Sequence, residues 1–128
     1  MKITLCGSLR FEAQIQDWHE RLAFAGHTVY SMVALPSQKQ DNKDWYTPHQ
    51  KQILDLLHLS KIEESDAIFV VDVDGYIGES TKREMQWAMI RNKTIYRLST
   101  KDYELLIYKE FSETTSLTGD FSAATEQL

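Results

Sequence analysis

Short apolar runs alternate along this chain with longer segments in which apolar positions recur at helical spacing. Residues 3–6 and 67–71, the second directly after Asp66, are the continuous apolar or β-branched runs that typically form buried parallel strands. Between them, Ile15, Trp18 and Leu22 recur at helical spacing, and Gly26 follows as a C-terminal glycine would. The whole pattern predicts strands over residues 2–6, 27–30, 66–71 and 94–98, and helices over residues 12–25, 48–64, 80–91 and 103–111.

The order of these elements is that of an α/β fold. The series β-α-β-loop-α-β-α-β-α predicts a three-layer, Rossmann-like open parallel sheet with helices on both faces. We expect one domain over residues 1–111 and a flexible or partner-packed tail, rich in Ser and Thr, over residues 112–128. Ligands of such sheets bind beyond the carboxyl ends of the strands. The turns after the strands, including the long polar segment 31–46, are therefore the candidate binding segments.

Composition and charge narrow the class of ligand. The chain has 128 residues, of which 42% are apolar, so it can bury one hydrophobic core. Its formal net charge is −5. No Lys/Arg cluster occupies one segment, so nucleic-acid binding is disfavoured, whereas a small anionic ligand is compatible with the sequence. No apolar run is long enough to span a bilayer, so no membrane partner is expected. Cys6, the only cysteine, is expected to be a small buried hydrophobe, and the cytoplasm is the favoured compartment.

Two turns after predicted strands combine glycine with hydroxyl or charged groups. Gly7, Ser8 and Arg10 follow the first strand, where glycine permits close approach of a ligand and the guanidinium suits phosphate or carboxylate. The turn after the strongest strand supplies further candidate substrate-binding residues, which are Asp72, Tyr76, Gly78 and Ser80. Simpler explanations exist for both turns, because the first is a strand-to-helix connection and Ser80 or Thr81 can be an ordinary helix cap.

Glu84 and His58 are the candidate catalytic residues. Glu84 lies near the start of the predicted helix 80–91, at the ligand edge, although complementarity to the helix dipole also explains a carboxylate there. His58 lies about two turns before the strongest strand, where a surface or core-edge position is the commoner outcome. Trp45, Tyr46 and Tyr76 lie in ligand-edge loops and can either stack on a base or pack there. The four histidines lack ligand spacing with Cys or paired acids, so no metal site is predicted.

Taken together, these segments resemble the nucleoside 2-deoxyribosyltransferase superfamily, and especially its 2'-deoxynucleoside 5'-phosphate N-hydrolase group. Cys6-Gly7-Ser8-Leu9-Arg10 is similar to the Cys-Gly-Ser-Ile-Arg opening of that group. A second similarity is the strand Ser65-Asp66-Ala67-Ile68-Phe69-Val70-Val71 with the Gly-containing loop after it. Glu84 then precedes Asn92-Lys93 by eight and nine residues, as the nucleophile of the family precedes an Asn-Lys or Gly-Lys pair.

The resemblance implies an enzyme that cleaves or transfers the N-glycosidic bond of a (deoxy)nucleoside or its 5'-monophosphate without a cofactor. In that reaction Glu84 attacks the anomeric carbon, and water or a second base then takes the sugar. Ser8, Arg10 and the Gly78–Ser80 amides would hold a 5'-phosphate. The resemblance also implies a homodimer, or a higher homo-oligomer, in which a neighbouring subunit helps to close the site.

Two positions depart from the family pattern. Family enzymes carry an Asp eight residues before the Asp that opens the strong strand, and this chain has His58 there. An imidazolium can protonate a purine nitrogen near neutral pH, so acid catalysis can persist. Lys82 and Arg83, rather than small residues, precede Glu84. The alternatives are a non-catalytic nucleotide-sensing module of the same fold and a homodimeric scaffold.

Overall fold

Four short strands form a sheet that carries helices on both faces. The computed structural model describes residues 1–32 and 46–107. Within them the strands are β1 (Lys2–Cys6), β2 (Thr28–Tyr30), β3 (Ala67–Val70) and β4 (Thr94–Arg97), and the helices are α1 (Glu12–Phe24), α2 (Pro48–Glu64) and α3 (Glu79–Ile90). Single 3-10 turns at Leu9–Phe11 and Val73–Gly75 follow β1 and β3.

The described strands lie in the order β2-β1-β3-β4, and each neighbouring pair is parallel. β1 and β3 occupy the centre, where Leu5 pairs with Phe69 and Cys6 pairs with Val70. Both central strands are buried over almost their whole length, as their continuous apolar sequences predict. The predicted α/β class, an open parallel sheet flanked by helices, is confirmed.

Alternate residues of the central strands face opposite helix layers. Leu5 and Phe69 pack on α1, where the Trp18 ring centroid lies 5.0 Å from that of Phe69. Cys6 and Val70 belong to a second core cluster, which contains residues of α2 and α3. This division follows from the two-residue period of a strand. It places the Cys6 side chain in the layer formed by α2 and α3.

The two helices of that layer begin differently. At α2, the Thr47 hydroxyl accepts a hydrogen bond from the Gln50 N–H, the Gln50 side chain accepts one from the Thr47 N–H, and Pro48 occupies the first turn as predicted. The predicted cap of α3 at position 80 or 81 is wrong, because the backbone is extended at Gly78 and helical from Glu79 onward. Gly78 is the N-cap, and no described side chain caps the first N–H groups of α3.

Parts of the predicted apolar stripes face solvent. The helical spacing of Met85, Ala88 and Met89 predicts that these residues of α3 face inward, but 65% of Met89 is exposed. On α2, helical spacing predicts a stripe that includes Ile53, Leu56 and Leu57. These three residues are also largely exposed, and His58 faces the sheet instead. The apolar stripe of α2 therefore lies beside its sheet-facing side and leaves an apolar surface on the described chain.

Several predictions fall outside the described residues. They concern the segment 33–45, which includes Trp45, and the tail 112–128. The last predicted helix, 103–111, is described only to residue 107, and residues 104–107 are helical. Of the helices in the two described ranges, none has both the length and the apolar character needed to cross a membrane.

Candidate active site

Three polar side chains from different elements meet between the sheet and the layer of α2 and α3. Cys6 ends β1, His58 lies on the buried side of α2, and Glu84 lies in the second turn of α3. The Nε2 atom of His58 is 3.6 Å from the Cys6 sulfur and 3.5 Å from Oε2 of Glu84. The exposed fractions of the three residues are only 0%, 7% and 8%. We call Cys6, His58 and Glu84 the buried trio.

Burial keeps the His58–Glu84 contact uncharged near neutral pH. Burial raises the pKa of Glu84 to about 8; the nearby Asp55 carboxylate adds to this rise, and Arg83 opposes it. Burial also lowers the pKa of His58 to about 4. Burial and the Glu84 carboxylate together raise the pKa of the Cys6 thiol well above its usual value. At pH 7 the contact therefore joins a protonated carboxyl group to a neutral imidazole and is not an ion pair.

The buried trio is poorly hydrogen-bonded. Within the described part of the chain, Nδ1 of His58 and Oε2 of Glu84 are buried without a hydrogen-bond partner. The 3.5 Å spacing between Oε2 and Nε2 is also longer than an ordinary hydrogen bond between nitrogen and oxygen. A buried polar group without a partner costs about 1–3 kcal/mol of stability. A protein that retains such a group calls for a functional explanation.

A pocket of about 210 Å³ opens beside the buried trio, between α2 and α3. Its wall consists of Asp55, Leu59, Ser80, Arg83 and Glu84. Asp55 lies three residues before His58, so the two residues share one side of α2. The Arg83 guanidinium donates a hydrogen bond of 3.3 Å to the Ser80 hydroxyl. The pocket thus combines the carboxyl group of Glu84 with exposed charged groups, and its volume suits a sugar-sized part of a larger ligand.

The turn after β1 contacts the turn after β3, in agreement with the predicted convergence. The guanidinium carbon of Arg10 lies 3.9 Å from the Tyr76 ring centroid, and Phe11 meets the same ring edge-on with centroids 5.9 Å apart. Gly7 lies so close to the end of β3 that an added Cβ would be 3.1 Å from the Val71 carbonyl oxygen. Arg10 and Tyr76 are both exposed, so a ligand can reach them.

Ser8 and Asp72, two further predicted substrate-binding residues, form hydrogen bonds within the protein. Ser8 caps the 3-10 turn, because its hydroxyl accepts a hydrogen bond of 3.4 Å from the Arg10 N–H. The fully buried Asp72 accepts hydrogen bonds from Arg97 at 2.9 Å and from the N–H and hydroxyl of Ser99 at 2.9 and 2.6 Å. Burial acts in the opposite direction, but these bonds lower the pKa of Asp72. Substrate binding by Asp72 stays a prediction.

Two features of the site have no counterpart in the sequence prediction. The pattern treats Cys6 only as a hydrophobe, whereas the structure places it against His58; the alternation along β1 is the signal that assigns it to this layer. Asp55 lines the pocket, and its i, i+3 relation to His58 is the corresponding signal on α2. His58 itself lies inward, although an outward or core-edge position was the commoner outcome for it.

Two solved structures resemble this one. The first is a 2-deoxyribosyltransferase from the psychrotolerant bacterium Bacillus psychrosaccharolyticus, with 20% sequence identity and a TM-score of 0.56; the match covers 76% of this chain and 71% of that chain. The second is the CMP N-glycosidase BcmB of Clostridium botulinum, with 20% identity and a TM-score of 0.50; the match covers 76% and 70%. The three chains share one fold. No protein-family model and no curated protein sequence matches the chain.

Proposed function

We propose that this protein cleaves or transfers the N-glycosidic bond of a (deoxy)nucleoside or its 5'-monophosphate, with Glu84 as the nucleophile. The observation that carries the proposal is the contact between the buried Glu84 carboxyl group and His58 at the wall of a pocket. A carboxylate with a partner acid is what cleavage of a glycosidic bond requires. That a deoxyribosyltransferase and a CMP N-glycosidase have the same fold supports this choice of bond by analogy.

The reaction begins when substrate binding shortens the 3.5 Å contact to a hydrogen bond and the Glu84 proton is transferred to Nε2 of His58. The Glu84 carboxylate then attacks the anomeric carbon while the bond from that carbon to the base nitrogen breaks, and the His58 imidazolium protonates the departing base. Water, or a second base, attacks the same carbon and breaks the ester to Glu84. When water attacks, His58 accepts its proton and returns it to Glu84, which restores the starting state.

The pKa values explain why the pair rests in its neutral form without substrate. Glu84, with a pKa of about 8, holds its proton more strongly than His58, with a pKa of about 4. Transfer of the proton to His58 is therefore unfavourable until a bound base can accept that proton in turn. In this proposal the substrate itself triggers formation of the nucleophile.

A 5'-phosphate would bind at the junction of the two contacting turns. Arg10 is exposed there, and the N–H groups at the start of α3 have no side-chain cap in the described chain. Ser8 and Ser80 lie beside these groups in sequence and can donate hydroxyl hydrogen bonds. These features favour a nucleoside monophosphate over a nucleoside as the substrate.

Release of free base from deoxynucleoside monophosphates and from CMP tests the proposed function. Glu84→Gln is expected to lower the rate by about 10²-fold or more, because Gln cannot act as the nucleophile. Glu20→Gln is the matched control, since Glu20 is exposed on α1, which packs on the other face of the sheet. An enzyme that releases no base from any common nucleotide at high concentration would contradict the proposal.

One observation favours a second candidate function, a nucleotide sensor without catalysis. Because the Glu84 pKa is about 8, most of the protein lacks a carboxylate nucleophile at pH 7. A sensor would show a nucleotide-dependent rise in melting temperature that Glu84→Gln leaves intact, with no base release. The enzyme would show base release that the same substitution removes.

We also propose that the protein is a cytoplasmic homodimer. The free thiol of Cys6 suits a reducing compartment, and the exposed Ile53, Leu56 and Leu57 form an apolar strip on α2 that a second copy can cover. Leu57→Glu should then lower the mass measured by light scattering to that of a monomer, whereas Lys51→Glu, on the same helix, should not. A monomeric wild-type protein would contradict this arrangement.

A further inference from the structure

The buried trio has the donor atoms of a zinc site with three protein ligands. The Cys6 sulfur, a His58 ring nitrogen and a Glu84 carboxylate oxygen all lie within 4.8 Å of one another. Cysteine, histidine and acidic side chains are the ligands that Zn²⁺ takes in proteins. Catalytic zinc sites commonly use three such ligands and leave a fourth position for water or substrate.

Two of the three distances between donor atoms match those around a bound cation, and the third is at most 4.8 Å. Bonds of about 2.3 Å to sulfur and about 2.0–2.2 Å to nitrogen or oxygen, at tetrahedral angles, separate sulfur from nitrogen by about 3.6 Å and nitrogen from oxygen by about 3.4 Å. The observed distances are 3.6 Å from Cys6 to His58 and 3.5 Å from His58 to Glu84. A direct hydrogen bond between nitrogen and oxygen would be shorter, near 2.9 Å.

The hydrogen-bonding capacity of the trio also favours a cation between the three side chains. Both contacts reach one atom, Nε2 of His58, which has a single lone pair when it accepts and a single proton when it donates. It cannot serve a thiol and a carboxyl group equally, and Oε2 of Glu84 has no hydrogen-bond partner in the described chain. One cation would satisfy all three groups at once.

We propose that Cys6, His58 and Glu84 bind Zn²⁺, with the fourth position open toward the adjacent pocket. Glu84 belongs both to the trio and to the wall of this pocket, so the proposed site adjoins the pocket. The ligands would bind as thiolate, neutral imidazole and carboxylate, so binding releases the thiol proton and any proton on Glu84. The absence of ligand spacing along the sequence does not argue against the site, because its ligands come from three separate elements.

Zinc would oppose the proposed glycosidic reaction. A carboxylate that coordinates the ion cannot attack the anomeric carbon, so bound Zn²⁺ should inhibit base release. This consequence rests on the proposed function, whereas metal binding does not. Metal binding by a protein that releases no base even when it is freed of metal would leave the zinc site standing and remove the enzymatic proposal.

Substitution with Co²⁺ tests the site without an activity assay. The full chain, freed of metal with a chelator and kept reduced, is titrated with Co²⁺ alone. We expect the intense visible bands of four-coordinate Co²⁺ together with a near-ultraviolet thiolate-to-cobalt charge-transfer band at one equivalent. Addition of Zn²⁺ should then abolish both signals. A weak six-coordinate spectrum without the thiolate band would overturn the proposal, and this result needs no variant.

Variants assign the ligands. Loss of a second-shell partner typically lowers metal affinity by about 10–100-fold, so His58→Gln and Glu84→Gln should each lower it by at least that much. Cys6→Ser should remove the charge-transfer band, because the chain has no other cysteine. His49→Gln is the control, since this exposed histidine lies at the start of the same helix as His58. Unchanged affinity in the His58 and Glu84 variants would overturn the assignment.

Discussion

Glu84→Gln is expected to stabilise the protein at neutral and alkaline pH. The folded protein holds a proton on Glu84 up to a pKa of about 8, whereas the ordinary value of 4.5 applies once the chain unfolds. The folded state therefore binds more protons than the unfolded state between these values. The free energy of unfolding must fall as the pH rises through this window, by about 1.4 kcal/mol per pH unit.

The magnitude of this loss follows from the width of the window. It amounts to about 3 kcal/mol at pH 7 and about 5 kcal/mol above pH 8. Glutamine has the shape of a protonated carboxyl group and no proton to lose, so the variant avoids the loss. A substitution that removes the proposed nucleophile should thus increase stability.

His58 changes stability in the opposite direction and at lower pH. The pKa of His58 falls from 6.5 to about 4 on folding, so the unfolded state binds more protons between these two values. The contribution of His58 to the free energy of unfolding therefore rises as the pH rises from about 4 to 6.5, and it is constant above pH 6.5. The two effects oppose each other in mildly acidic solution. The window from pH 6.5 to pH 8 isolates Glu84, and there the wild type should lose about 2 kcal/mol relative to the variant.

Urea unfolding of both proteins across this window, with a chelator present to exclude metal ions, measures the difference. Glu79→Gln serves as the control, because its exposed side chain should give a small difference that does not change with pH. If Glu84→Gln and the wild type differ by the same amount at pH 6.5 and pH 8, the carboxyl group is ionised in the folded protein. The reasoning about both the trio and the resting state of the proposed enzyme would then be refuted.

Three further substitutions test the surroundings of the site. Gly7→Ala should lower stability in urea by about 1–3 kcal/mol, because its Cβ would lie 3.1 Å from the Val71 carbonyl oxygen at the end of a central strand. Asp72→Asn should cost about 1.5–3 kcal/mol at pH 7 by weakening the bond to Arg97, and the cost should shrink in acid, where the wild-type carboxylate is also protonated. Arg10→Ala should raise KM for monophosphates about tenfold or more and leave KM for nucleosides nearly unchanged, a difference that base release can measure.

The sheet could be predicted from the sequence because burial on both faces leaves a strong signal. The strand Ala67–Val70 lies inside a run of five apolar, β-branched or aromatic residues that follows directly after Asp66, and this run predicts the type and position of β3. The start of α3 was harder, since Ser80 and Thr81 have cap chemistry and only the backbone shows that Gly78 holds the cap position. Residue type suggests which residues could be the N-cap, and the backbone conformation decides which of them is.

The buried trio could not be predicted from spacing. Cys6 and His58 are 52 residues apart, and their contact requires both the strand order and the side of the sheet that each helix covers. The spacing of residues along one sequence gives neither the strand order nor the side of the sheet on which each helix packs. Glu84 could be singled out because it follows a predicted turn at the ligand edge, but its protonation state depends on burial that only the fold creates.

The identity of residue 58 decides which chemistry the trio can perform. An aspartate there, as in the family that the sequence resembles, would place two acids side by side, and the pair would share a proton while keeping a negative charge. The imidazole of His58 removes that charge, keeps a route for the proton of Glu84, and adds a nitrogen ligand next to the Cys6 sulfur. The same replacement thus supports glycosidic cleavage and zinc binding together. The two cannot occur at once, because a single carboxylate must serve either as nucleophile or as metal ligand.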